Sequence, residues 1–353
     1  MGLSAGRLVR WIVRAGVSAG LIVLFLLHAD LDKLAAIFGS LDLGWLALAV
    51  LIKGIGILAG VIRWKLLLAG QDLRLPMANL GGAYLVGRFF GSFLPSTLGL
   101  DAYRTYYAAV RTREVATCVA VTVVEKVVGL LALSILALAA LPFGMRILSS
   151  QVLWFLSAVI SVPILASALL LFWPGLFVRL AALFRRRGKK VSQGIAKWSE
   201  AVARFGTQRG RLLVALLLGL IVHGGTSAMY IATARAVGVV IDPTEILFIG
   251  PLMIVATLVP ISIAGIGVRE GTFVFFLARI GVASEPAALL AFLGYFAGEL
   301  YSLAGGAVWA LTPASRPEDG HGLLEVVKRA AAWVRGQSQA AGQQERVSEE
   351  AES

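Results

Sequence analysis

Cysteine occurs once in this chain, at Cys118, and histidine three times, at His28, His223 and His321, far apart in sequence. A disulfide framework and a cysteine-based metal site are therefore excluded, and no local His-rich metal motif is present. Cys118 lies in an apolar run and reads as packing. Charge is scarce as well, at 15% of residues. No Walker-type G-x-x-x-x-G-K-[ST], no H-E-x-x-H and no G-x-S-x-G occurs, so the chain carries no visible ATPase, zincin or nucleophile-elbow chemistry. The run Gly265-Ile266-Gly267-Val268-Arg269-Glu270-Gly271 is glycine-rich, but its third glycine is misplaced for a dinucleotide fingerprint. It also follows an apolar span rather than a strand of a βαβ unit. No cofactor is implied.

What the chain has instead is apolar length. Hydrophobic residues make up 58% of the 353, and the mean hydropathy is +0.85. Soluble domains rarely pass half apolar, and long apolar stretches read as membrane spans. Full spans are predicted at about 10–28, 43–69, 114–141, 150–173, 212–236 and 286–312, with two further apolar stretches, 77–110 and 245–281, each broken by Pro and Gly. Arg7, Arg10 and Arg14 precede the first span like a secretory signal, yet no small-x-small cleavage site follows, so it reads as an uncleaved span. The tail 313–353 is polar, with a basic amphipathic stretch at 323–335 and a disordered composition after it.

The formal net charge of +12 could point to nucleic acid. The basic residues sit between apolar segments, however, where the positive-inside rule puts them, and no nucleic-acid partner is expected. The loop 174–211 holds ten Lys and Arg against Glu200 alone and is expected to be cytoplasmic. Asp30, Asp32 and Asp42 put the 29–42 loop outside; Arg63, Lys65 and Arg74 are assigned to an inside loop, as are Arg111 and Arg113. Both termini are then cytoplasmic, and the chain is expected in the cytoplasmic (inner) membrane as a multi-pass protein. By the same parity each broken stretch enters and returns on one face.

The two broken stretches resemble each other. Pro95 precedes Arg104 by nine positions, and Pro260 precedes Arg269 by nine, with hydroxyl and small residues between. Each half reads span, span, broken hairpin, span, and three full spans separate the hairpins, so they enter from opposite faces. The predicted fold is an all-α integral membrane bundle of two inverted-topology repeats, about 10–141 and 150–312, each with a broken or re-entrant hairpin. Matched interruptions of this kind point to a substrate site near the midplane.

A charge inside an apolar segment costs roughly 2.5–3.5 kcal/mol on insertion scales, so each needs a partner, water or a function. The embedded set is Lys53, Arg88, Asp101, Arg104, Glu125, Lys126, Arg269, Glu270 and Glu299. Arg104 and Arg269 are the first candidates to bind an anion, because a guanidinium fork fits phosphate and each follows a Gly-containing break where helix N–H groups are free. Alternatively, each pairs with a carboxylate and only holds its hairpin. Arg88 is a weaker candidate of the same kind. Glu125 and Lys126 are adjacent and point about 100° apart on a helix, so each meets another segment. Glu125 could accept from Arg104 or Arg269, and Glu270 and Glu299 either do likewise or carry a proton. His223 reads as packing or a relay, Lys53 as snorkelling or paired, and Tyr103, Tyr106 and Tyr107 as an interfacial aromatic belt or a lipid portal.

At these residues the chain resembles the lysylphosphatidylglycerol synthase transmembrane region family, also described as flippase-like domain proteins. The resemblance runs through 87–104, the Glu125-Lys126 pair and 260–271, and covers about 10–312. Asp101, Arg104, Glu125, Ser262, Gly265, Gly267 and Glu270 match the family pattern. Ser96, Thr97 and Leu100 depart from it, as do Lys126 for Arg and Ala264 for Gly. In multidomain synthases of this kind the region translocates the aminoacylated lipid that a separate soluble domain makes, and other relatives belong to polyprenyl-linked sugar pathways. The tail after Thr312 is too short for such a soluble domain, which implies a stand-alone lipid translocase rather than an enzyme. Its cargo would be a phospholipid or a polyprenyl-phosphate glycan, and a separately encoded lipid- or glycan-modifying enzyme could be its partner. The alternatives are a membrane-embedded transferase or hydrolase acting on a lipid phosphate, with Asp101 or Glu125 as base, and an accessory scaffold.

Overall fold

The computed structural model describes residues 36–93, 98–172, 203–258, 262 and 265–311. The predicted first span at 10–28, the basic loop 174–211 as far as residue 202, Pro95 and Pro260, and the tail 313–353 lie outside the described residues. The described chain is helical, without strands. Its helices are α1 (Leu43–Ala69), α2 (Met77–Phe93), α3 (Leu98–Thr112), α4 (Val115–Ala140), α5 (Ser150–Phe172), α6 (Arg209–Ala236), α7 (Pro243–Leu258), α8 (Val268–Leu277) and α9 (Ser284–Leu311).

Two lengths of helix are present, and sequence explains both. Helices α1, α4, α5, α6 and α9 are long and apolar enough to cross a membrane. The 27 residues of α1 extend about 40 Å at 1.5 Å per residue, more than the roughly 30 Å hydrocarbon core. Asp42 starts α1: its Oδ1 accepts from the N–H groups of Gly44 and Trp45 at 2.8 and 3.2 Å, satisfying two otherwise orphaned donors. Helices α2, α3, α7 and α8 have 17, 15, 16 and 10 residues, below the roughly 20 that a span needs. They come as two interrupted pairs, α2–α3 and α7–α8, at the predicted places.

Packing centres on one pair of long helices. The most extensive contact is α1 against α6. Around that pair, α2 packs on α9 while α7 packs on α4, and α4 packs on α6 while α9 packs on α1. Within each half the order repeats: α2 on α3 and α3 on α4, then α7 on α8 and α8 on α9. Small residues make these approaches possible. A β-carbon on Gly305 of α9 would fall on the carbonyl of Leu85 in α2, and one on Gly294 would fall on the ring of Tyr230 in α6. Large apolar side chains point outward, among them Leu43, Leu51, Trp154, Phe155, Val162 and Leu303. Polar and charged side chains are buried instead, including Arg63, Asp101, Arg104, Glu125 and Arg269. That is the distribution expected where the surrounding solvent is hydrocarbon.

Candidate functional site: a cationic cavity between the two halves

A cavity of about 340 Å³ opens between α1, α2, α3, α6, α7, α8 and α9. Its charged lining is Lys53 from α1, Arg88 from α2, Arg269 from α8 and Glu299 from α9, with His223 of α6 beside them. Three cations thus face one carboxylate. Hydroxyls complete the wall: Ser92, Thr226, Thr257, Ser262, Tyr295 and Ser302. A smaller space of about 40 Å³, lined by Gly56, Tyr84 and Gly225, adjoins the same Lys53 and Arg88.

Backbone geometry positions Arg269, and a contact between helices positions Arg88. Gly265 and Gly267 hold φ of +75° and +84°, a region that costs other residues roughly 1–2 kcal/mol. They turn the chain into α8, and the Glu270 carboxylate accepts from the N–H of Gly267 at 2.6 Å, capping that helix. Arg269 follows two residues after Gly267 and lies over the ring of Tyr295, 4.2 Å from its centroid. Arg88 donates from α2 to the carbonyl of Gly298 at 2.9 Å. Ser92, one turn further along α2, donates to Glu299 at 2.5 Å and to the Arg88 carbonyl at 3.2 Å. The floor of the cavity is one face of α9, since Tyr295, Gly298, Glu299 and Ser302 recur at helical spacing.

Some buried polar atoms along this wall lack a hydrogen-bond partner among the described residues: Ser262 Oγ, Ser302 Oγ and Arg88 Nε. A buried polar group without a partner costs about 1–3 kcal/mol. Three in one wall mark a place where a ligand or water supplies the missing bonds.

A second charged cluster lies behind the cavity wall, where α1, α3 and α4 meet. Arg104 Nη2 lies 2.7 Å from Asp101 Oδ1, and Nη1 lies 3.2 Å from both carboxylate oxygens of Glu125. Arg63 Nη2 donates to the same Glu125 at 3.1 Å, and Lys126 Nζ lies 2.6 Å from Asp101. The Arg104 guanidinium also stacks over Trp64 and Tyr84, 5.2 and 4.8 Å from their centroids. Each carboxylate here thus meets two cations, a balance suited to holding α3 against α1 and α4.

The predicted site residues are therefore divided. Arg88, Arg269 and Glu299 share the cavity, and Lys53 and His223 join them. Arg104, Asp101, Glu125 and Lys126 belong to the cluster, and none of the four lines the cavity. Arg104 and Arg269, matched by their spacing from proline, do not meet on one wall, because α3 directs Arg104 at the α4 carboxylate. Glu270 caps α8, with its Oε1 4.0 Å from Arg269 Nη1. The reading of Arg63 and Lys65 as loop cations is corrected: both lie inside α1, and Arg63 is buried against Glu125. Its position within the apolar run 57–69 was the available signal. Ser92, Tyr295 and Ser302 also escaped the sequence reading, although the i, i+3, i+4, i+7 pattern from Tyr295 to Ser302 marks one polar face on an apolar helix.

A multi-span helical bundle with charged residues enclosed between its halves defines an integral membrane protein with a polar internal site. The chain belongs to the family of the lysylphosphatidylglycerol synthase TM region, whose model matches residues 11–305. No curated protein matches the chain.

Proposed function

We propose that this protein moves a lipid with an anionic, phosphate-bearing head group across the cytoplasmic membrane, the head group passing through the cavity while the tails stay in the bilayer. The observation that carries this reading is the convergence of Lys53, Arg88 and Arg269 on one cavity in which Glu299 is the sole carboxylate among the described residues. Guanidinium and ammonium groups enclosed this way attract phosphate, and the two arginines add directional donors. At about 340 Å³ the cavity is at the low end of ligand sites. It admits a head group and leaves no room for acyl or prenyl chains.

Architecture supports the same reading. Around the shared α1–α6 pair, the contacts of α2, α3 and α4 have counterparts in those of α7, α8 and α9. The pattern is compatible with two inverted repeats, and we read α2–α3 and α7–α8 as hairpins entering from opposite faces. Rocking of one half against the other would expose the cavity alternately to the two sides. The family takes its name from a lipid synthase, and a separately encoded lipid- or glycan-modifying enzyme could supply the cargo. In this reading the chain itself transports and does not catalyse. Proteoliposomes carrying a head-group-labelled anionic lipid test it: the purified chain should make inner-leaflet label accessible from outside faster than in protein-free vesicles. Equal rates would reject it.

A further inference from the structure

We infer that the head group taken by this cavity carries free hydroxyls beside its phosphate and no cationic amine, with Ser262 and Ser302 as the side chains that read those hydroxyls. The inference rests on the translocation reading above and narrows its cargo.

Charge balance excludes the amine. A lysyl ester brings an α-amine and an ε-ammonium, and each needs a carboxylate when removed from water. Of the carboxylates embedded among the described residues, Glu245 and Glu285 do not line the cavity, and Asp101 and Glu125 are held by Arg104, Arg63 and Lys126. Glu270 caps α8. Only Glu299 reaches the cavity, and it already accepts from Ser92 at 2.5 Å. A lysyl group would therefore meet three cations and one occupied carboxylate.

The hydroxyl wall supplies the positive half of the argument. Ser262 and Ser302 are 4% and 3% exposed, line the cavity, and have no hydrogen-bond partner among the described residues. A serine hydroxyl both donates and accepts, which complements an alcohol rather than a bare oxyanion. Thr226 and Thr257 donate to their own helix carbonyls, of Val222 at 3.0 Å and Ile254 at 2.8 Å, leaving their oxygens as acceptors on the same wall. The chemistry that fits is a phosphate ester of a polyol or sugar.

Binding of four lipids to the purified full chain in nanodiscs tests this: short-chain phosphatidylglycerol, a short-chain polyprenyl phosphohexose, phosphatidic acid and lysylphosphatidylglycerol. At least one hydroxyl-bearing lipid should bind about tenfold or more tighter than the lysyl lipid, a difference of roughly 1.4 kcal/mol. Whichever of the two binds tighter distinguishes a glycerol from a sugar source. The double variant Ser262→Ala, Ser302→Ala should remove most of that lipid's advantage over phosphatidic acid, and an unchanged thermal unfolding profile in detergent reports an intact fold. A lysyl lipid that binds as tightly, or a serine pair whose removal changes nothing, overturns the inference and leaves anion translocation standing. If none of the four binds, the translocation reading falls with it.

Discussion

Arg88 on α2 donates to the carbonyl of Gly298 on α9, and a β-carbon on that glycine would lie 3.6 Å from the same guanidinium and 3.3 Å from Cε of Lys53. The absence of a side chain at Gly298 thus lets two cations from two helices occupy one wall. Gly298→Ala should be tolerated, because the crowded neighbour is the flexible end of a lysine. Gly298→Leu should fill the wall, push Lys53 and Arg88 out of place and lower transport by roughly tenfold or more. Transport in proteoliposomes, normalised to membrane abundance, separates the two variants.

The cluster around Glu125 predicts a different phenotype. Glu125→Ala removes the carboxylate that Arg63 and Arg104 share, stranding two guanidinium groups in a buried site, with a cost of about 3–5 kcal/mol. Membrane abundance and thermal unfolding in detergent should both drop. Glu125→Gln keeps an acceptor and should fall between. If Glu125→Ala folds normally yet fails to transport, Glu125 acts on the cargo and not on the fold.

Gly267 gives a backbone test of how Arg269 is aimed. At φ +84° an alanine costs roughly 1–2 kcal/mol, and relief of that strain would swing the start of α8 away from the cavity. Gly267→Ala should reduce transport more than stability, whereas Gly271→Ala, with nothing within 4 Å of its β-carbon, should do little to either. Equal losses in the two variants would remove the argument.

Spans were legible because hydrocarbon demands about 20 apolar residues in a row. The sequence reading of 43–69 coincides with α1 at both ends, and 150–173 and 212–236 agree with α5 and α6 within a few residues. Breaks were legible through Pro and Gly, since few other residues stop a helix at apolar depth. Side-chain partners were not. Identical spacing from proline gave Arg104 and Arg269 the same weight, but their fates depend on which helix packs opposite: α4 offers Glu125, and α9 offers the ring of Tyr295. Arg63 was hidden by its closeness to the charged end of α1, where a snorkelling role is the simpler reading.

The Lys and Arg asymmetry predicts an orientation that exposed positions test. With the buried Cys118 replaced by alanine, Val240→Cys, at 87% exposure, should react with an impermeant maleimide added outside intact cells. Arg74→Cys, on the opposite side by span parity, should react only after permeabilisation. The reverse pattern would invert the topology.

The central claim is that Arg269 and Arg88 recognise a phosphate in the cavity, and the conservative variants Arg269→Lys and Arg88→Lys address it most directly. Lysine keeps the charge and gives up the planar fork, so each variant should reach normal abundance while its transport of a head-group-labelled anionic lipid falls by roughly tenfold or more, the equivalent of about 1.4 kcal/mol. Transport at the unmodified rate in both variants would contradict the account and return the two arginines to a structural role.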